Sequence, residues 1–361
     1  MILAALMLSA ALAAPGQNPG GSVHVAPNSA SFVYSPYNWL VTGEAAKTIN
    51  AGAYFRIRLD NTAACAIGLN IGAATPYSEC WARLDTGSWQ EYIPTASGPQ
   101  TWMLTLPSPT TSRTHLLEFV VKSTTETKDR WDNQTTAVQF TGLTLDPGAG
   151  VTLPAARKYR VLLYGDSITE GVRVNGYEGI PDDTDRNDSV SDYSYQLGQL
   201  LNAEVGVVGF GATGLQTGGS GNVPALPLSY NYLWSGQERS FSPVPDLVVY
   251  NEGTNDGNAP IGAELAAVIR GIGYAGKTNT FSGLNGTRHL VLEPFGGYES
   301  LNLQAEVKAI DNANVTYGST AGFWNSKDSS DGLHPYAYAH LSIAPQVAVL
   351  ISPLLTPQES R

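Results

Sequence analysis

Basic residues are scarce in this chain, and nowhere do they form a run. The 361 residues include 20 Lys and Arg against 31 Asp and Glu, which gives a formal net charge of −11 at pH 7. Proteins that bind nucleic acids present basic patches to the phosphate backbone. The charge balance therefore argues against a nucleic-acid partner.

Metal-binding patterns are also missing. The chain has only two cysteines and no His-Glu-x-x-His sequence, so no zinc signature is present. The acidic segment 181–192 does not fit a calcium loop, because Asp188 stands where Gly is needed and no Glu occupies the twelfth position. We expect this segment to be a surface loop, and we expect neither a metal ion nor a cofactor.

A membrane helix needs about 18 consecutive apolar residues. We see no run of this length after the first residues of the chain. The chain begins MILAALMLSAALAAPG, an apolar stretch with small residues at its end. This stretch is too short to span a bilayer, and Ala11-Leu12-Ala13 is typical of a cleavage site. We predict a signal peptide over residues 1–14 and a secreted, extracellular protein without a membrane anchor.

The two cysteines, Cys65 and Cys80, bracket a short segment. In an exported chain an even number of cysteines favours a disulfide. Two buried thiols that never meet are the alternative, since the sequence does not supply the geometry that a disulfide requires. Asn-x-Ser/Thr triplets occur at Asn133, Asn187, Asn285 and Asn314. In a eukaryotic host these triplets are acceptor sites for N-glycans and would make the protein a glycoprotein.

The apolar pattern changes its period near residue 150. Residues 22–146 contain short alternating runs such as AYFRIRL, TWMLTL and AVQFTGLTL, separated by turn residues. This pattern predicts an all-β sandwich. Residues 147–158 are rich in Pro, Gly and Ala and are predicted to form a linker. From 159 to 356, continuous apolar runs such as YRVLLYG and DLVVYNEG alternate with segments whose apolar residues have helical spacing. This alternation predicts a three-layer α/β/α domain with a parallel sheet.

Polar residues follow the ends of the predicted parallel strands, where open α/β sheets bind their ligands. Ser167 follows the first strand, a glycine-rich loop with Gly214 follows the second, and Asn255 follows the third. Asp331 and His334 lie near the C-terminus. The sequence therefore predicts one site at the carboxyl edge of the sheet.

These residue types match the needs of acyl transfer. A serine hydroxyl is a poor nucleophile until a base, usually histidine, takes its proton. The histidine needs a carboxylate to hold its tautomer, and the developing oxyanion needs N–H donors. We also expect Pro335 to begin the last helix, which would place His334 at the positive end of the helix dipole. Residues close to this site that we interpret as structural are Asp166, Asp256 and His340.

The segments GDSITEG, the Gly214 loop, GTNDG and DGLHP resemble, in this order, the four sequence blocks of the SGNH (GDSL-type) hydrolases. The resemblance implies a flavodoxin-like sheet with Ser167 as nucleophile, His334 as base and Asp331 as the orienting carboxylate. It further implies an oxyanion hole formed by the N–H groups of Ser167 and Gly214 and the side chain of Asn255.

The segment FVVKSTTETKDRW is followed by FTGLTLD in the first part of the chain. With these segments, a jelly-roll-like β-sandwich ahead of such a domain is similar to carbohydrate esterase family 2, whose members are acetyl esterases acting on xylan and related plant polysaccharides. The resemblance implies a serine esterase that removes short acyl groups, chiefly acetyl, from an acylated carbohydrate. In that family the carboxylate partner can be absent, but here Asp331 is present. We expect a monomer. A GDSL-type lipase or general carboxylesterase, and a carbohydrate-binding protein with a silent hydrolase domain, are the alternatives.

Overall fold

Alternating apolar residues build two antiparallel sheets from the first part of the chain. The computed structural model describes residues 21–106, 114–273, 287–295 and 302–355, so the predicted signal peptide and Asn285 lie outside the described residues. One sheet contains β1 (Val23–Val25), β3 (Leu40–Val41), β4 (Ala46–Thr48), β6 (Ala64–Ile71), β9 (Gly98–Thr105) and β11 (Val138–Leu145). The other contains β2 (Val33–Tyr34), β5 (Tyr54–Asp60), β7 (Glu79–Leu84), β8 (Gln90–Tyr92), β10 (Thr114–Ser123) and β12 (Gly150–Thr152).

The two sheets share one apolar core, because every second side chain of their strands points inward. Phe55 of β5 stacks on Phe119 of β10, with ring centroids 4.8 Å apart, and meets Phe140 of β11 at 4.3 Å. Part of the predicted linker belongs to this structure, since β12 pairs with β5 and Val151 packs against the core.

Cys65 and Cys80 are free cysteines, so the expected disulfide is wrong. Cys65 lies in β6 of one sheet and Cys80 lies in β7 of the other, and both are buried in the shared core. Burial raises the pKa of both thiols well above the ordinary value. The two cysteines therefore act as small apolar core residues.

We expect both thiols to resist alkylation in the folded protein. After unfolding without a reductant, mass spectrometry should find two alkylated cysteines, because no disulfide has to be broken first. If alkylation of the unfolded chain required prior reduction, the assignment of two free thiols would be contradicted.

The second part of the chain forms a five-stranded parallel sheet. Its strands are β13 (Tyr159–Gly165), β14 (Ala203–Gly209), β17 (Leu247–Asn251), β18 (Arg288–Leu292) and β19 (Val315–Gly318). Their spatial order is β14-β13-β17-β18-β19, so the first strand lies inside the sheet, as in doubly wound folds. The prediction of a mixed α/β chain is confirmed.

Helices cover both faces of the parallel sheet. On one face lie α3 (Tyr193–Leu200) and α7 (Ala337–Ile351), and on the other lie α5 (Gly262–Gly273) and α6 (Leu303–Ala309). The other elements within the described residues are α1 (Ser167–Glu170), α2 (Asp183–Arg186), α4 (Leu226–Ser229), the hairpin of β15 (Tyr232–Trp234) with β16 (Gln237–Glu238), and 3-10 turns at Thr254–Asp256, Ser326–Asp328 and Ser352–Leu354. Side chains of β13 alternate between the two faces, so both are apolar.

The last helix begins at Ala337, so the prediction that it starts at Pro335 is wrong. Pro335 instead pairs with Ser329 in an isolated bridge, and the N–H of Tyr336 donates to the carbonyl of Asp328, which keeps this backbone extended. His334 therefore precedes the helix by three residues. The dipole effect that we expected at its ring falls off outside the first turn.

By length and composition alone, the stretch Ala337–Leu354 could cross a membrane, although we expected no such stretch. Its inner side chains Ile343, Val347 and Ile351 are buried against the parallel sheet. The core helix of a globular domain meets the same criteria, so we assign α7 to the core.

Candidate active site

Ser167 begins a short helix directly after the first parallel strand. β13 ends at Gly165, and the Asp166 carboxylate accepts the N–H of Ile168 at 2.9 Å, which caps α1. Burial raises the pKa of Asp166 to about 6, while that hydrogen bond opposes the rise. The interpretation of Asp166 as a structural residue is confirmed.

Ser167, His334 and Asp331 form a continuous hydrogen-bonded chain. The Ser167 Oγ lies 2.9 Å from His334 Nε2, and His334 Nδ1 lies 2.7 Å from Asp331 Oδ2. Ser167 is 8% exposed and His334 is 5% exposed, so the relay is mostly shielded from water. The fold thus brings together an alcohol and an imidazole that stand 167 residues apart in the sequence.

The Asp331 carboxylate is held by several donors. Its Oδ1 accepts the N–H groups of Leu333 at 3.0 Å and His334 at 2.8 Å. Its Oδ2 also accepts Nη1 of Arg173 at 2.6 Å, a contact that our sequence analysis missed. Partial burial would raise the pKa of Asp331, but the bonds from the His334 ring and N–H and from Arg173 outweigh it. They hold the pKa well below its ordinary value.

The glycine-rich loop is ordered by Asp256. Its carboxylate accepts the N–H groups of Leu215, Gln216 and Thr217 at 2.7, 2.9 and 3.0 Å, which confirms its structural role. A Cβ on Gly214 would lie 2.4 Å from this carboxylate, so a larger residue would displace it. The Gly214 N–H donates to the carbonyl of Thr217 at 2.9 Å. The N–H expected in the oxyanion hole is therefore engaged within its own loop.

Asn255 lies in the 3-10 turn after β17, and its Nδ2 donates to the carbonyl of Thr213 at 2.9 Å. An amide nitrogen carries two N–H groups, so one of them is left for a ligand. The N–H of Ser167 is in the first turn of α1, where a helix provides no internal acceptor. Both N–H groups can thus donate to a ligand without breaking one of the hydrogen bonds described above.

The β-sandwich half of the chain contacts the helix that carries Ser167. Arg130, which is 0% exposed, forms a two-pronged ion pair with Glu170 at the end of α1, with Nη2 and Oε2 3.2 Å apart. Glu170 Oε2 also accepts the N–H of Gly211 at 2.6 Å. The Arg130 guanidinium covers the ring of Phe210 at 5.0 Å. No sequence motif pointed to this contact between the two halves.

His340 is a structural residue, as we predicted. It is fully buried, stacks on Tyr193 at 6.0 Å, and lies 3.2 Å from Asp192 Oδ2 through its Nδ1. Burial lowers the pKa of His340 to about 3 and raises the pKa of Asp192 well above its ordinary value. In the part of the chain that the structure describes, no group of three or more His, Cys, Asp or Glu could hold a metal ion.

No protein-family model and no curated protein matches this sequence. Solved structures do match its fold. A family two carbohydrate esterase from Cellvibrio japonicus has a TM-score of 0.75 at 16% identity, covering 93% of this chain and 98% of its own. An acetyl xylan esterase from Butyrivibrio proteoclasticus has a TM-score of 0.73 at 13% identity, with 95% and 100% covered. A family two carbohydrate esterase from Clostridium thermocellum, solved with cellohexaose, has a TM-score of 0.69 at 17% identity, with 89% and 98% covered.

The chain has the fold of the family two carbohydrate esterases, with which it aligns over most of its length. The hydrogen-bonded Ser167, His334 and Asp331 lie together as the resemblance to the SGNH hydrolases implied. The predicted resemblance is confirmed at the level of the fold.

Proposed function

We propose that this protein is a secreted serine esterase that removes short acyl groups, chiefly acetyl, from a plant-type polysaccharide such as acetylated xylan. The observation that carries the proposal is the relay from Ser167 through His334 to Asp331, with distances of 2.9 and 2.7 Å. These distances are within hydrogen-bond reach, as nucleophilic catalysis by a serine requires.

In the proposed reaction the Ser167 Oγ attacks the carbonyl carbon of the ester while His334 Nε2 takes the hydroxyl proton. The oxyanion accepts hydrogen bonds from the Ser167 N–H and the free N–H of the Asn255 amide. The carbon–oxygen bond to the sugar then breaks, and the sugar oxygen takes the proton from His334. Water, activated by His334, releases the acid and restores Ser167. The Gly214 N–H can donate to the oxyanion only if it first releases the Thr217 carbonyl.

The carbohydrate substrate is supported by the solved structures that share the fold, which include an acetyl xylan esterase and a complex with cellohexaose. We propose a sandwich domain over 22–146 that is extended by β12, and a flavodoxin-like SGNH domain over 159–356, acting as a monomer. Secretion rests on the apolar start of the sequence at residues 1–14.

Acid release from acetylated xylan, acetylated mannan and chromogenic esters of two, four and eight carbons tests the proposal. We expect acetate release from at least one polysaccharide and a preference for the two-carbon ester. A preference for eight carbons would favour the lipase alternative. Binding of polysaccharide with no release from any ester would favour the carbohydrate-binding alternative.

Replacing Arg173 by methionine should lower kcat/KM by about tenfold, because the Asp331 carboxylate loses one charged hydrogen-bond donor. Arg173 helps to lower the Asp331 pKa, so its removal raises that pKa. The ionised relay exists above this pKa and is lost as the pH falls through it, so the loss of activity should grow toward acid pH. The pH profile of kcat/KM measures this, and an unchanged profile would contradict it.

A further inference from the structure

The segment after β10 carries Glu126 from the β-sandwich half to the loop that follows β14. Its backbone is anchored, because the Glu126 N–H donates to the Asp183 carboxylate at 3.0 Å and the Thr125 hydroxyl donates to the same group at 2.8 Å. Arg130, four residues later, is tied to Glu170 beside the nucleophile. Glu126 is therefore presented from a rigid support.

The Glu126 carboxylate lies against the glycine-rich loop at the carboxyl edge of the parallel sheet. A Cβ on Gly211 would fall 2.6 Å from Glu126 Oε2, so the absence of a side chain at residue 211 leaves room for the carboxylate. Gly211 itself follows β14 and is bonded through its N–H to Glu170. The carboxylate thus stands beside the helix that begins with Ser167.

Charged groups of both signs surround the Glu126 carboxylate. Burial raises the pKa of Glu126 and the Glu170 carboxylate adds to the rise, while the charges of Arg130 and, more weakly, His334 oppose it. The Arg130 guanidinium is already paired with Glu170. None of the described residues forms a hydrogen bond with the Glu126 carboxylate, and the side chain is half-buried. A partly buried carboxylate without a hydrogen-bond donor is stabilised when a bound substrate supplies one.

We propose that Glu126 is a specificity residue, supplied by the β-sandwich half, that hydrogen-bonds a hydroxyl of the sugar ring carrying the ester. The inference rests on the proposed function and names the substrate contact that the β-half makes. Both oxygens of a carboxylate accept hydrogen bonds, and sugar hydroxyls can donate them. A small chromogenic acetate has no such hydroxyl, so it gains nothing from Glu126. The β-half therefore takes part in substrate choice as well as bracing the nucleophile.

The test compares kcat/KM for acetylated xylo-oligosaccharides with kcat/KM for a chromogenic acetate. In Glu126→Ala the ratio of the two should fall at least tenfold, as expected for loss of a hydrogen bond to a charged group. Glu126→Gln, which keeps an acceptor at the same reach, should restore most of the ratio. Thr127→Ala, an exposed neighbour in the same segment, is the matched control and should leave the ratio unchanged.

A second measurement uses Ser167→Ala protein, which should bind acetylated xylo-oligosaccharides without turning them over. Adding Glu126→Ala should weaken that binding by a similar factor, with melting temperatures reporting that both proteins fold. An unchanged ratio and unchanged binding would overturn the inference, as would equal losses on both esters. Failure of the wild-type protein to release acid from any ester would instead overturn the proposed function.

Discussion

Replacing Ser167 by alanine is expected to lower kcat for acetate release by about 10⁴-fold or more, leaving KM nearly unchanged. The variant removes the only oxygen that His334 Nε2 contacts in the relay at 2.9 Å, so no acyl-enzyme can form. The remaining donors can still bind the ester and polarise it, which leaves a small residual rate. Initial rates on the two-carbon chromogenic ester measure this.

The matched control is His334→Ala, which should lose a similar factor because the two groups act as one unit. The double variant should then be no slower than either single variant. Losses that multiply in the double variant would show that Ser167 and His334 act independently. That result would contradict the relay.

Replacing Arg130 by methionine is expected to lower the free energy of unfolding by about 3–5 kcal/mol. The variant leaves the Glu170 carboxylate buried beside the nucleophile helix without its guanidinium partner. The double variant Arg130→Met with Glu170→Gln removes both charges of the ion pair. It should recover much of the lost free energy of unfolding, because no unpaired buried charge remains. Urea unfolding of the three proteins measures these differences.

Arg173→Met is the matched control, because Arg173 also pairs with a carboxylate but its side chain is 32% exposed. A partly exposed ion pair contributes about 0–1 kcal/mol, so this variant should unfold nearly as the wild type does. An equally small effect of Arg130→Met would contradict the view that the β-half braces the nucleophile helix.

The sequence was sufficient to predict the parts of the site that depend on local signals. A buried strand followed by Gly-Asp-Ser marks a strand end, and parallel strands bring such ends to one edge, where Ser167 and Asn255 now lie. The short spacing from Asp331 to His334 lets both the backbone and the ring of His334 reach one carboxylate. These features follow from neighbours in the chain.

The sequence could not predict contacts that depend on how distant segments pack. Arg130 meets Glu170, and Arg173 meets Asp331, through the packing of separate elements, which no spacing in the chain encodes. The cysteine count likewise did not reveal that β6 and β7 belong to different sheets. The helix start was missed because Pro335 pairs with Ser329 instead of opening a helical turn.

The hydrogen-bonded His334 should make Ser167 a nucleophile. Incubation with a fluorophosphonate, followed by proteolysis and mass spectrometry, measures this reactivity, because such reagents form a stable ester only with an activated serine. We predict one adduct per chain, on Ser167, with formation slowed severely in His334→Ala. No adduct, or an adduct on another residue while Ser167 stays unmodified, would contradict the account.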